Sequence, residues 1–234
     1  MIEKLQIKGE LNMFFKFPST PYIETDINIQ RSDKILSISE VETILSKSVT
    51  IEEKIDGANL GISFNCNGEI QLQNRGSYLI EPFGGQWKPL NNWINCHEEK
   101  MFDVLMDEFI LYGEWCYAKH SIYYDNLPDW FIGFDILDIK KRRFLSVQQR
   151  NLMLEQMNVK IVPKLGFGTY DVCELAAFFQ KSKYGRDYCE GIYIRQDEEG
   201  YLKYRAKMVR KEFKQNIIEH WSKGSLQCNK VHWT

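Results

Sequence analysis

The chain has 234 residues, 44% hydrophobic and 26% charged, enough to bury the core of one large domain or two small ones. Its 30 Lys and Arg against 32 Asp and Glu leave a net charge of -2, which argues against indiscriminate nucleic-acid binding. No stretch approaches the ~20 apolar residues of a membrane helix, no charged-then-apolar leader opens the sequence, and the six cysteines lack the paired short spacing of a zinc site or a disulfide framework, so the expected setting is a reducing cytoplasm.

In chain order, Ser39 with Glu42 has capping-box spacing and predicts a helix starting there. LGISFN and EIQLQN then alternate on either side of Cys66-Asn67-Gly68, where Asn-Gly marks a hairpin turn. Phe102, Leu105, Met106 and Phe109 make the apolar face of a further helix that runs into the strand FILYGEW. The aromatic strand WFIGFDIL follows, then helices opened by Ser146 with Gln149 and by Asp171 with Glu174. A second hairpin is predicted from EGIYIRQ and YLKYRAK around Asp197 to Gly200. The expectation is a mixed α+β domain dominated by antiparallel strands, without repeats or a Gly/Ser linker. Residues 201–234 hold eight Lys or Arg against only Glu212 and Glu219, which fits a solvated helix face and a phosphate-binding patch equally well.

Lys54 lies just ahead of the first hairpin, in EKIDGAN. A protonated amine is a poor nucleophile, so a covalent role requires burial or a cationic neighbour to lower its pKa. Gly57 would let the backbone approach a ligand closely, and Asp56 and Asn59 would orient the lysine or hydrogen-bond a ribose. Taken alone, Lys-x-Asp-Gly is more often an exposed turn lysine than a nucleophile.

EKIDGAN, NRG, YGEW, FIGFDI, EGIYIR and KYRAKMVR stand in the order and approximate spacing of the motifs of the covalent nucleotidyltransferases, the superfamily of ATP-dependent ligases and mRNA capping enzymes. From about residue 17 onward the chain resembles ATP-dependent RNA ligases, and YGEWCYAKHSIYYDNLPDWFIGFDILD is similar to their bacterial and phage group. The resemblance implies a nucleotidyltransferase core, ATP-grasp-like, with antiparallel sheets flanking a nucleotide cleft. Residues 1–234 would form one adenylyltransferase domain, with 1–48 as a lead-in and 208–234 as a basic C-terminal helix or tail. The 27 residues after Lys207 are too few for the OB-fold, a barrel of roughly five strands, so none is expected.

By the same resemblance, Lys54 attacks the α-phosphate of ATP to give lysyl-AMP; the AMP passes to an RNA 5′-phosphate, and a 3′-hydroxyl displaces it. Glu114 and Glu190 match acidic positions near the ribose and a magnesium ion, with Glu190 as the metal ligand. Lys207 matches the lysine on the α-phosphate, although Lys203 and Arg205 fit a Lys-x-Lys alignment too, and alternation along a strand would point all three into the cleft. Glu53, Asp56, Gly57 and Asn59 fall in the nucleotide-binding motif around Lys54, and Arg75 would contact phosphate or ribose. Phe134 matches the aromatic that stacks on adenine, while a core role explains a strand Phe equally. His120, Tyr123 and Tyr124 read either as an RNA surface or as half-buried loop residues. His97, His220 and His232 have no metal-binding spacing.

The partner expected is RNA with 5′-phosphate and 3′-hydroxyl ends, together with an end-healing or recruiting protein and no membrane. The competing readings are transfer of AMP to another acceptor such as DNA or a protein, a GTP-using capping activity, and a catalytically silent nucleotide- or RNA-binding module.

Overall fold

Alternating apolar and polar runs give ten strands among the described residues of the computed structural model, which are 14–23, 34–210 and 226–233. In chain order these are α1 (Ile38–Leu45), β1 (Val49–Lys54), β2 (Ala58–Phe64), β3 (Ile70–Gln73), α2 (Leu90–Asn95), α3 (Glu98–Leu105), β4 (Phe109–Trp115) and β5 (Phe131–Asp138). There follow β6 (Arg143–Phe144), α4 (Val147–Gln156), β7 (Lys160–Ile161), β8 (Lys164–Gly168), α5 (Val172–Leu175), β9 (Gly191–Glu198) and β10 (Tyr201–Val209). One antiparallel sheet runs β10-β9-β1-β8; the other runs β3-β2-β4-β5-β6, with β7 added parallel to β5.

Both expected hairpins form. Asn65 Oδ1 accepts the N–H groups of Asn67 and Glu69 at 3.0 and 2.9 Å, and Gly68 takes the left-handed φ of 78° that closes β2 on β3. The β9–β10 turn uses Glu199 and Gly200 at φ 52° and 80°.

Two helix expectations shift. The cap of α1 is Ser37 with Glu40, not Ser39 with Glu42: Ser37 N–H donates to Glu40 Oε2 at 2.8 Å and Glu40 N–H to Ser37 Oγ at 3.3 Å. That frame buries Val41, Ile44 and Leu45 in the cluster that also holds Val49 and Ile51 of β1. In α3 the buried residues are Met101 and Leu105, whereas Phe102 and Met106 are exposed and Phe109 already belongs to β4. The helix stops at Leu105 and Met106 turns to a φ of 48°, so the four apolar residues straddle a change of period from 3.6 to 2. Ser146 and Asp171 open α4 and α5 as expected.

A polar seam joins the sheets. Arg150 of α4 pairs bidentately with Glu52 of β1 at 2.5 and 3.1 Å, and Arg195 of β9 pairs with Asp135 of β5 at 2.6 Å. Both guanidinium groups also donate to the carbonyl of Phe134, at 2.6 and 3.2 Å, fixing the strand that carries this ring.

The chain segments before and after the sheets are stitched on as well. Pro21 O accepts from Lys207 N–H and Lys207 O from Ile23 N–H, both at 2.9 Å, extending the β10 edge. Phe15 O accepts from the Gln73 amide and the Tyr112 hydroxyl of the other sheet at 2.8 and 2.6 Å, so residues 14–23 reach across both. Of the basic tail expected over 208–234, residues 208 and 209 complete β10 and 211–225 lie outside the described residues. Residues 226–233 return to bridge Cys228 with Ala118 and Val231 with Leu127.

Candidate active site

Strand pairing converges the chemistry. Lys54, the last residue of β1, faces Gly191, so it lies beside Glu190, and its Nζ donates to Glu190 Oε2 at 2.5 Å. Pairing of β2 with β4 sets Asn59 opposite Glu114. Lys54, Asn59, Arg75, Glu114, Phe134 and Lys207 all line one open cleft of about 130 Å³, together with Glu53.

The cleft is electrostatically unfinished. Among the described residues, five buried side-chain oxygen or nitrogen atoms have no hydrogen-bond partner, and three of them, Glu53 Oε1, Asn59 Oδ1 and Glu114 Oε2, belong to residues that line this cleft. Leaving such atoms unsatisfied costs about 1–3 kcal/mol each, which marks the cleft as a place where a ligand completes the bonding. Burial pushes the Glu114 carboxyl well above the usual carboxylate range, and Glu190 and Asp56 push the same way while Lys54 and Arg75 oppose it. Burial likewise raises Glu53 and Glu190.

At Lys54 the sequence expectation is reversed. Burial alone would lower its pKa, but the Glu190 and Glu114 carboxylates outweigh it and hold the amine above the ordinary lysine value. Paired with Glu190, the residue is a clamped ammonium.

Several residues assigned to nucleotide contacts bond to the chain itself. Asp56 Oδ2 accepts the N–H groups of Ser121 and Ile122 at 2.7 and 3.0 Å, and Asp56 N–H donates to the Tyr124 hydroxyl at 2.9 Å. Gly57 is small for the protein's sake, since a Cβ there would lie 2.9 Å from Trp115 O and 3.1 Å from Cys116 Sγ. Tyr124 is fully buried, and His120 Nε2 bonds Gln86 Oε1 at 2.9 Å. Lys203 pairs with Glu198 at 2.7 Å on the exposed hairpin, and Arg205 lies over Phe17 and Phe144, 3.5 Å from Asp135. Only Lys207 of these three basic residues lines the cleft.

Sequence reading missed the wall built by Phe17, Pro18 and Thr20, and with it Tyr193. Phe17 meets Phe134 edge-on at 5.1 Å, Thr20 Oγ1 and the Tyr193 hydroxyl bond at 2.7 Å, and Ser19 Oγ accepts from Arg75 at 3.0 Å. Tyr193 does lie within EGIYIR, where a polar aromatic inside a buried strand was the available signal.

Glu190 and the unpartnered oxygen of Glu114 are donors suited to a hard divalent cation. Among the described residues no group of three or more His, Cys, Asp or Glu converges as a metal-binding cluster.

The lysine, carboxylates and arginine, gathered on paired strands and the turn after β3, line one charged cleft whose chemistry suits a phosphorylated ligand. The chain belongs to the RNA ligase family, which matches residues 47–209. Its fold is similar to that of a Naegleria gruberi RNA ligase variant with ATP and Mn, at a TM-score of 0.58 and 18% identity over 78% of this chain and 55% of that one. The Naegleria gruberi RNA ligase with PPi aligns with a TM-score of 0.58 and 22% identity over 77% and 54%. A variant of it with AMP and Mn gives 0.58 and 20% over 76% and 55%. The chain thus spans about half the length of these proteins. None of the curated proteins compared with the chain is similar to it.

Proposed function

We propose that the chain is an ATP-dependent RNA ligase core acting through a lysyl-AMP intermediate on Lys54. The observation that carries this reading is the Lys54–Glu190 pair at 2.5 Å, in a cleft with unpartnered buried oxygens. Neighbours of the same fold hold ATP, AMP with Mn, and PPi, the nucleotide species such a cycle would pass through.

In this reading Nζ of Lys54, once deprotonated, forms a bond to the α-phosphorus while the bond to the pyrophosphate oxygen breaks. Lys207 and Arg75 neutralise phosphate charge, Phe134 stacks on the adenine, and Asn59 and Glu114 offer their unpartnered oxygens to ribose hydroxyls. Glu190 would hold a magnesium ion, which would supply neutralisation of charge on the leaving group. The AMP then passes to an RNA 5′-phosphate, and an RNA 3′-hydroxyl displaces it to leave a phosphodiester. Asp56 acts indirectly, by fixing the 121–122 backbone beside the lysine.

Incubation with ATP labelled in the α-phosphate and a divalent cation, followed by 5′-phosphorylated RNA, tests the reading. Label should appear on the protein and move to RNA. Absence of labelled protein, or transfer to DNA but not to RNA, would overturn it.

A further inference from the structure

Three segments far apart in sequence, 119–126, 181–188 and 226–233, meet on one face beside the cleft. Asn126 N–H donates to Tyr184 O at 3.0 Å, Arg186 pairs with Asp125 at 3.0 Å, and a Cβ on Gly185 would lie 2.7 Å from Tyr123 O. The third segment is bolted on by the buried Asn229. Its Nδ2 donates to Cys116 O and Ala118 O at 2.8 and 3.2 Å, and its Oδ1 accepts Tyr124 N–H at 2.9 Å. Lys119 N–H to Gln227 O and Lys230 N–H to Tyr124 O, at 2.8 and 2.9 Å, complete the join.

The face is continuous with the catalytic cleft. Lys183 N–H donates to Glu53 Oε2 at 3.1 Å, and Ser121 and Ile122 hold Asp56, two residues beyond Lys54. Its charge departs from that of the whole chain: five cations, Lys119, Lys181, Lys183, Arg186 and Lys230, against two acids, Asp125 and Asp187, compared with 30 against 32 overall. Among the described residues the four lysines enter no ion pair, and the Arg186 side chain is 91% exposed even with Asp125 beside it. Two large aromatics also lie open to solvent, Tyr188 at 51% and Trp233 at 67%.

Four lysines outside any ion pair and an exposed arginine, interleaved with exposed rings, match a strand that offers phosphates and unstacked bases. We propose that this face binds single-stranded RNA and leads its end to Lys54. The proposal rests on the RNA ligase reading and adds where the polynucleotide lies. It also gives the YAKHSIYYD segment a role: Tyr124 is the internal bolt, and the backbone around it carries the binding face.

The test is binding of a 5′-phosphorylated single-stranded RNA oligonucleotide across a salt series, by the parent and by a triple variant, Lys181→Ala, Arg186→Ala and Lys230→Ala. Three lost phosphate contacts should reduce the slope of log affinity on log salt by about 2, with a loss of roughly tenfold or more at moderate salt. Trp233→Ala should weaken binding about tenfold with its salt slope unchanged, as expected for lost stacking. Lysyl-AMP formation without RNA should stay within about twofold in both variants, since exposed substitutions away from the cleft leave the fold intact. An unchanged slope and affinity in the triple variant would overturn the proposal, as would a parent that binds no RNA, leaving the face to some other partner. A parent that binds RNA through this face but forms no lysyl-AMP would refute the ligase reading alone.

Discussion

Glu52 and Glu53 are chain neighbours, both buried and both lining the cleft, yet their carboxylates are held in opposite ways. Glu52 is saturated by the bidentate Arg150, part of the seam in which every carboxylate has its guanidinium. Glu53 has one oxygen on Lys183 N–H and the other unpartnered, like Asn59 and Glu114 around it. Both seam carboxylates are paired, although Arg195 Nε is left without a partner there, whereas the cleft gathers three unpartnered side-chain oxygens. Burial alone would not separate Glu52 from Glu53, but the partners of each carboxylate do.

The largest effect that follows is on chemistry. Glu190→Ala should slow lysyl-AMP formation by about three orders of magnitude or more, because it removes the carboxylate beside Lys54 and the proposed metal oxygen. A loss of only a few-fold, measured as single-turnover adduct formation, would put Glu190 on the structural side of the comparison.

In the seam the loss should be of stability. Arg150→Met leaves Glu52 buried without its counter-charge and should cost about 3–5 kcal/mol in denaturant unfolding. Glu52→Met added to it should recover most of that, since two apolar residues leave no uncompensated charge. A double variant no better than the single would mean that the seam does more than pair charges.

In the cleft, removing a charge should stabilise. Burial raises the folded-state pKa of Glu114 above its ordinary value of 4.5, so its contribution is intact below that pH and is lost as pH rises towards the folded value. Glu114→Gln should therefore match the parent in thermal unfolding near pH 4.5 and gain about 1 kcal/mol or more on it above, while losing activity. A variant less stable at every pH would contradict the description of Glu114 as a strained, unfinished group.

The smallest effect belongs to Lys203. It lies outside the cleft on the exposed hairpin, so Lys203→Ala should leave adduct formation within about twofold, whereas Lys207→Ala should slow it by about a hundredfold or more. Equal losses would restore the alternative in which both face the nucleotide.

The last pair shows how legibility ran out. Alternation on a strand would give Lys203, Arg205 and Lys207 a common face, but the β9–β10 register shifts between Leu202 and Tyr204 and sets Lys203 apart, while Arg205, in regular register with Lys207, is taken up by Phe17, Phe144 and Asp135. The strands and both hairpins were readable because their patterns are local. Lys54, Asn59, Glu114 and Lys207 were readable as a group only through the resemblance of their motifs to those of the covalent nucleotidyltransferases, and strand pairing within each sheet is what sets them on one cleft. Thr20 and Tyr193 were not, since 173 residues separate the two hydroxyls and neither carries a local signature of the other. Asp56 and Gly57 look like ligand contacts in sequence because small and acidic residues serve loop packing equally well, and only the 121–122 backbone and the end of β4 reveal which use applies.

The central claim is that Lys54 is the nucleophile. The most direct measurement is peptide mass spectrometry after incubation with ATP and a divalent cation, on the parent and on Lys54→Arg, whose guanidinium remains protonated. The account predicts an AMP-sized mass addition on the peptide bearing Lys54 in the parent and none anywhere in the variant. An adduct on Lys207 or another lysine, or an adduct that survives Lys54→Arg, would contradict it.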